Sequence, residues 1–223
     1  MKSQVIKAVI FDVDGLLLDT ERVALAAYLE AASRSGINAT EELFMSLVGR
    51  NWATSQGLLK DALGTDDAET MLAEWPRTFE SRVLGAGIPK KPGADEVIHM
   101  LVKRETPVAL ATSTSRDLAT DRLRSAGLLE HFEVIVTGDE VANGKPAPDI
   151  FLLAAERLDI EPTACIVLED SEPGVRAGDR AGMRVLMVPD LIQPSPEVAA
   201  LATGIFESLV EAQTFLERSL GPV

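Results

Sequence analysis

Short apolar runs that end in clusters of polar residues recur along this chain. The first, Val5 to Phe11, is rich in β-branched side chains and leads into Asp12 and Gly15, which predicts a buried strand meeting a turn. Thr106 to Ala111, Glu133 to Val136, Ala164 to Leu168 and Arg184 to Val188 repeat the pattern, with helix-patterned segments between most of them. Such alternation predicts a parallel sheet joined by right-handed crossovers, with helices on both faces.

Between the first strand and Pro92-Gly93 the pattern is helical and contains no strong strand. Helices are expected over Thr20 to Ser35, Thr40 to Val48, Asn51 to Leu63 and Asp66 to Leu84. Gly36 suits a helix end, Thr40 followed by Glu41 and Glu42 suits a helix start, and Gly85-Ala86-Gly87 is a candidate hinge. Pro189 to Pro196 reads as a loop, and Ile205 to Leu220 as a closing helix. The expected fold class is therefore α/β: a Rossmann-like parallel sheet over residues 1–18 and 89–223, with an inserted all-α helical cap over residues 19–88.

Length and composition agree with that plan. A chain of 223 residues can bury one α/β core and a smaller lobe, and 46% hydrophobic with 25% charged residues is an ordinary globular mixture. The formal net charge of -14 argues against broad attraction to nucleic acid or anionic lipid, so an anionic ligand needs a local cationic site. The single cysteine, Cys165, sits in an apolar run and is expected to be buried. The first residues lead into a strand without a signal-peptide pattern, and no apolar run is long enough for a membrane span, so a cytoplasmic protein is expected.

The polar clusters carry the chemistry. Asp12-Val13-Asp14-Gly15 follows the first strand, Thr112-Ser113-Thr114-Ser115-Arg116 the second, Gly144-Lys145-Pro146 the third, and Glu169-Asp170-Ser171 the fourth. In parallel sheets, reactive groups gather at these carboxyl ends. Any one cluster would equally suit a solvated strand end or a helix cap. Together, however, the first and last supply four carboxylates, whose mutual repulsion calls for a hard divalent cation, Mg2+ being the natural choice. Asp12 and Asp14 alternate on the strand, so both can address one site while Val13 turns into the core. Glu169 and Asp170 can do so only if the strand has begun to turn. The Thr112 hydroxyl with the Ser113 and Thr114 amides can meet a phosphoryl oxygen, and Lys145, set before a proline, can aim one ammonium inward.

In this order the four clusters resemble the sequence motifs of the haloacid dehalogenase superfamily, and the match spans nearly the whole chain. The helical insert and Gly15-Leu16-Leu17-Leu18-Asp19-Thr20-Glu21 resemble the branch that holds β-phosphoglucomutase and many small sugar-phosphate and phosphoglycolate phosphatases. The resemblance implies that Asp12 attacks phosphorus to form an aspartyl-phosphate and that Asp14 protonates the leaving group and later activates water. It implies metal ligation by the Asp12 carboxylate, the Asp14 main-chain carbonyl and Asp170, with Glu169 nearby or ligating. Thr112 and Ser113 would hold the phosphoryl group, with Lys145 neutralising charge.

Departures from relatives narrow the reaction. Family dehalogenases lack an acid where this chain has Asp14. Phosphonate-cleaving relatives use a cap lysine, and Lys60 is the only lysine between the first motif and the hinge. Where the mutase carries a cap histidine and a loop lysine, this chain has Ala24 and Val48. The expected activity is Mg2+-dependent hydrolysis of a small phosphorylated metabolite, a sugar or polyol phosphate; a phosphomutase and a non-catalytic phosphate-binding protein are the alternatives. Arg50 and Arg116 are candidate substrate contacts. No nucleic-acid or membrane partner is expected, and oligomeric state is left open with a monomer as the starting expectation.

Overall fold

The computed structural model describes residues 5–50 and 52–220, apart from the side chain of Trp52. The chain divides into two compact units, one formed by residues up to Leu18 together with those from Pro89 onward, the other by Asp19–Ile88.

The first unit is built on strands β1 (Ala8–Phe11), β2 (Val108–Thr112), β3 (Val134–Thr137), β4 (Cys165–Glu169), β5 (Arg184–Met187) and β6 (Gly204–Ile205). They form one parallel sheet in the order β3-β2-β1-β4-β5-β6. β1 is thus interior, and the order in which strands are added reverses beside it: β2 and β3 extend to one side, β4 to β6 to the other. This makes a topological switch point at the carboxyl end of β1, where parallel sheets open a crevice. Right-handed crossovers then place α5 (Ala94–Lys103) and α6 (Arg116–Ser125) on one face, and α7 (Asp149–Arg157) and α8 (Glu172–Arg180) on the other. Alternate strand residues feed the second of these layers: Ala8, Ile10, Ala109, Ala111, Cys165 and Val167 are buried with Ile150 and Phe151 of α7 and Val175 of α8. Cys165 is buried as expected, and burial pushes its thiol up to about 11.

Several boundaries differ from the sequence reading. β1 begins at Ala8 rather than Val5, which is 66% exposed. The tail is not one helix from Ile205. Gly204–Ile205 instead joins the edge of β5, with Phe206 donating its amide to the Met187 carbonyl, and α10 (Leu209–Ser219) starts only after Ser208 accepts a capping bond from the Glu211 amide. A short helix, α9 (Pro196–Ala199), opens at the proline that was expected to close a loop.

The second unit holds α1 (Thr20–Ser35), α2 (Glu41–Leu47), α3 (Trp52–Leu63) and α4 (Thr65–Ala86). Asn51, expected to open the third helix, lies outside the described residues. Gly36 ends α1 in the left-handed conformation, and the Thr40 hydroxyl caps α2 by accepting from the Leu43 amide. Gly85 and Ala86 are not a loop but the last residues of α4, and Gly87 caps that helix. The core is aromatic: Tyr28, Phe44 and Trp75 meet pairwise with ring centroids 5.3 to 5.7 Å apart, and the Trp75 indole donates to the Ala24 carbonyl at 3.0 Å. Trp75 is therefore a packing residue. Lys60 pairs with Glu69 on an exposed surface.

An ion-pair network ties the loops around the sheet's carboxyl end. Glu140, in the turn after β3, accepts from Arg116 at the start of α6 and from Arg157 at the end of α7, 2.8 Å away, while both arginines also donate to the Ile135 carbonyl. Burial works against the Glu140 charge, but bonds from Arg157, Arg116 and Thr137 outweigh it and bring the group down to about 2 from 4.5. Its stabilising contribution is therefore present above about pH 4.5 and lost as pH falls towards 2.

Two stability predictions follow from these contacts. Glu140→Gln should destabilise at pH 7 by on the order of 1 kcal/mol, the pair being solvent-screened. In urea melts the gap from wild type should close between pH 4.5 and 2; a gap constant with pH would refute the pairing. Separately, the Tyr28 hydroxyl is buried without a hydrogen-bond partner among the described residues. Tyr28→Phe should leave thermal stability unchanged or raise it by up to about 1 kcal/mol, and a clear loss would show a missed partner.

Candidate active site

Asp12 is the first residue past β1, and its amide donates to the Leu168 carbonyl of β4, so its position is set by the sheet itself. Val13 is fully buried, as alternation requires. Gly15, at φ +83°, turns the chain, with its amide donating to the Leu18 carbonyl. A methyl group here would meet a carboxylate oxygen of Asp170 at 2.2 Å, so glycine is required both by conformation and by the close approach of that carboxylate.

Lys145 reaches the same place from the loop between β3 and α7. Its ammonium donates to Asp12 Oδ1 at 2.5 Å, to Glu169 Oε1 at 2.6 Å and to the Ala111 carbonyl at 3.0 Å, 5.0 Å from the centre of the Phe151 ring. The lysine side chain is only 5% exposed. Arg180 of α8 donates to the Pro146 carbonyl at 2.7 Å and so fastens the loop that presents it. Burial pushes the Asp12 carboxyl up to about 7 against the pull of Lys145, with Glu169 and Asp14 adding to the rise. Burial also disfavours the ammonium, but Asp12 and Glu169 outweigh it and hold the Lys145 pKa above its ordinary value.

Glu169 ends β4 and is fully buried. Besides Lys145 on Oε1, its Oε2 accepts from the amides of Asp170 and Ser171 and from the Ser171 hydroxyl, each at 2.9 Å. The turn anticipated after the strand is therefore folded around the glutamate's own carboxylate. Gly174, in the first turn of α8, leaves the space: a methyl group there would overlap the Glu169 carboxylate at 1.8 Å. The outcome is that Asp12, Glu169 and Asp170 offer carboxylate oxygens within 4.8 Å of one another, and all three are brought together from two adjacent strand ends.

The other predicted residues are placed as follows. Thr112 ends β2 and is 1% exposed, its hydroxyl donating to Asp14 Oδ2 at 3.4 Å. The amide of Thr114, expected to face a phosphoryl oxygen, instead donates to Thr112 Oγ1 at 3.1 Å. Ser113 is exposed, with its carbonyl packed so closely on Gly138 that a methyl group there would lie 2.3 Å away. The Asp14 carboxylate does not join the acidic cluster; it accepts from the Thr114 hydroxyl at 2.6 Å and from Arg122 at 2.7 Å. Arg116 directs one guanidinium nitrogen, Nη2, to Glu140 and the Ile135 carbonyl. Arg50 belongs to the helical unit and donates to the Ser46 carbonyl at 2.6 Å.

Arg122 was not legible as a site residue. It lies on α6, ten residues past Thr112, and only the packing of α6 beside β2 and β3 brings it to Asp14. No spacing rule marks it in the sequence.

The chain is similar to proteins already known. A phosphorylated carbohydrates phosphatase from Thermotoga maritima is 37% identical over 177 residues, covering 79% of this chain and 82% of that one. A fructose-1-phosphate phosphatase from Escherichia coli is 33% identical, covering 78% and 92%. The solved structure of a hydrolase from Deinococcus radiodurans with bound phosphate and sodium superposes with a TM-score of 0.83 at 26% identity, covering 97% of each chain. The haloacid dehalogenase-like hydrolase model matches residues 9–188, from β1 through the residue after β5, and the chain belongs to that family.

Proposed function

We propose that this protein hydrolyses small phosphate monoesters, sugar or polyol phosphates, through an aspartyl-phosphate on Asp12, with Mg2+ as its metal. The observation that carries this reading is the buried Asp12 carboxylate at the switch point of the sheet, hydrogen-bonded to a lysine and flanked by Glu169 and Asp170. That two relatives are named as phosphatases of phosphorylated sugars supports the substrate class.

The cluster suits a hard divalent cation. Its donors are all carboxylate oxygens, and Lys145 pairs with two of the three, Asp12 and Glu169. Asp12, Asp170 and the Asp14 main-chain carbonyl would hold the ion, while Glu169, already accepting four hydrogen bonds, orients Lys145 and the turn. Bound there, Mg2+ would neutralise charge on the phosphoryl oxygens.

The residues supply the rest. A carboxylate attacks a dianionic phosphate poorly, so cancelling repulsion is most of the task. Lys145 directs the Asp12 carboxylate and offers its charge to the phosphoryl group, with Thr112 and Ser113 at the end of the adjacent strand. In the first half-reaction a bond forms from an Asp12 oxygen to phosphorus, the ester P–O bond breaks, and Asp14 gives a proton to the departing alkoxide. In the second, Asp14 takes a proton from water as the water oxygen attacks phosphorus, and the bond to Asp12 breaks.

Purified protein with Mg2+ should release phosphate from a panel of sugar and polyol phosphates, and chelation should stop it. Asp12→Asn should abolish release while the circular dichroism spectrum stays that of wild type. Retained turnover in that variant would remove Asp12 as nucleophile. Faster conversion of a hexose 1-phosphate into its 6-phosphate than into free phosphate would replace hydrolysis by phosphoryl isomerisation.

A further inference from the structure

Asp14 is held by two threonines of the second motif and by one residue outside the four motifs, Arg122. Arg122 Nη1 donates to Asp14 Oδ1 at 2.7 Å, and the Thr114 and Thr112 hydroxyls donate to Oδ2 at 2.6 and 3.4 Å. The Arg122 side chain is 16% exposed, whereas Arg124, two positions along the same helix, is 61% exposed and pairs with its neighbour Asp121. The arginine is thus drawn in beside the sheet. Its flanking residues on α6, Ala119 and Leu123, are fully buried, so the helix has no freedom to carry it away.

The two kinds of donor differ physically. A threonine hydroxyl rotates about one bond and its hydrogen can turn to another acceptor. A guanidinium is planar, always charged, and carries its donors in a fixed fork, so it sets the direction of a carboxylate rather than following it. With Arg122 removed, Oδ1 loses its donor and Asp14 is left with hydroxyls on one oxygen alone.

We propose that Arg122 is a positioning residue for Asp14. It fixes the carboxylate at the strand end for both proton transfers: from Asp14 to the leaving alkoxide as the ester P–O bond breaks, and from water to Asp14 as the bond to Asp12 breaks. This rests on the assignment of Asp14 in the proposed function. It extends the site onto α6, and it explains why a partly buried arginine stands beside an acid that is not part of the carboxylate cluster.

The test exploits leaving groups. A sugar alkoxide must be protonated as it departs, whereas p-nitrophenolate leaves without help, and kcat/KM reports only steps through departure. Arg122→Met keeps the apolar stem and removes the charge. It should lower kcat/KM for a hexose phosphate by about tenfold to a hundredfold, chiefly through kcat, and change kcat/KM for p-nitrophenyl phosphate less than about threefold. Arg122→Lys should restore part of the loss. Equal losses on the two substrates would show general damage to the site and overturn the proposal, as would no loss on either. Asp14→Asn, assayed beside them, separates the two ideas: if it retains hexose phosphate turnover, the role of Asp14 falls whatever Arg122 does, and if it loses turnover while Arg122→Met does not, only the role of Arg122 falls.

Discussion

The ammonium of Lys145 between the carboxylates of Asp12 and Glu169 is the contact on which the rest of the site depends. Three residues far apart in sequence meet there with almost no solvent, and removing the lysine would leave two buried carboxylates facing each other. A lone carboxylate in that place would take up a proton rather than stay charged. Much of the surrounding structure serves the contact. β1 and β4 pair directly, so Asp12 and Glu169 leave neighbouring strand ends; the Lys145 loop is fastened by Arg180; and glycines at 15 and 174 make room for Asp170 and Glu169.

Charge is distributed unequally around this centre. Asp12, Glu169 and Asp170 bring carboxylate oxygens within 4.8 Å of one another, a donor set that suits a hard cation. Asp14 is directed away from that cluster towards two threonines and Arg122. Two aspartates only two residues apart are thereby given different environments, and such a separation lets one act as nucleophile and the other as acid and base. Further out, Glu140 with Arg116 and Arg157 joins the loops after β2 and β3 to α7, so the start of α6 and the lysine-bearing loop are braced by one set of ion pairs.

Local chemistry made much of this readable in the sequence. Alternating apolar runs and helical periods follow from backbone geometry and burial, so five strands and the helical insert are visible in composition alone. The polar clusters at strand ends are equally visible, because a parallel sheet brings those ends to one edge whatever the intervening helices are. The two-residue β6 carried no periodicity to detect, and the start of α10 depended on Ser208 capping it rather than on apolar pattern. The Gly85-Ala86 pair read as a breaker because glycine weakens a helix by only about 1 kcal/mol, a cost that α4 absorbs.

What the sequence by itself determined was which residue types stand at the strand ends and hence the family, since the motifs are contiguous and their chemistry is local. What only the tertiary structure decided was which of the charged residues are spent and on whom. Arg116 is committed to Glu140, the Thr114 amide to Thr112, and Asp14 to Arg122 on α6. The two arginine pairings depend on how α6 packs against the sheet, over separations of 24 and 108 positions, and electrostatic partners chosen through space leave no period along the chain.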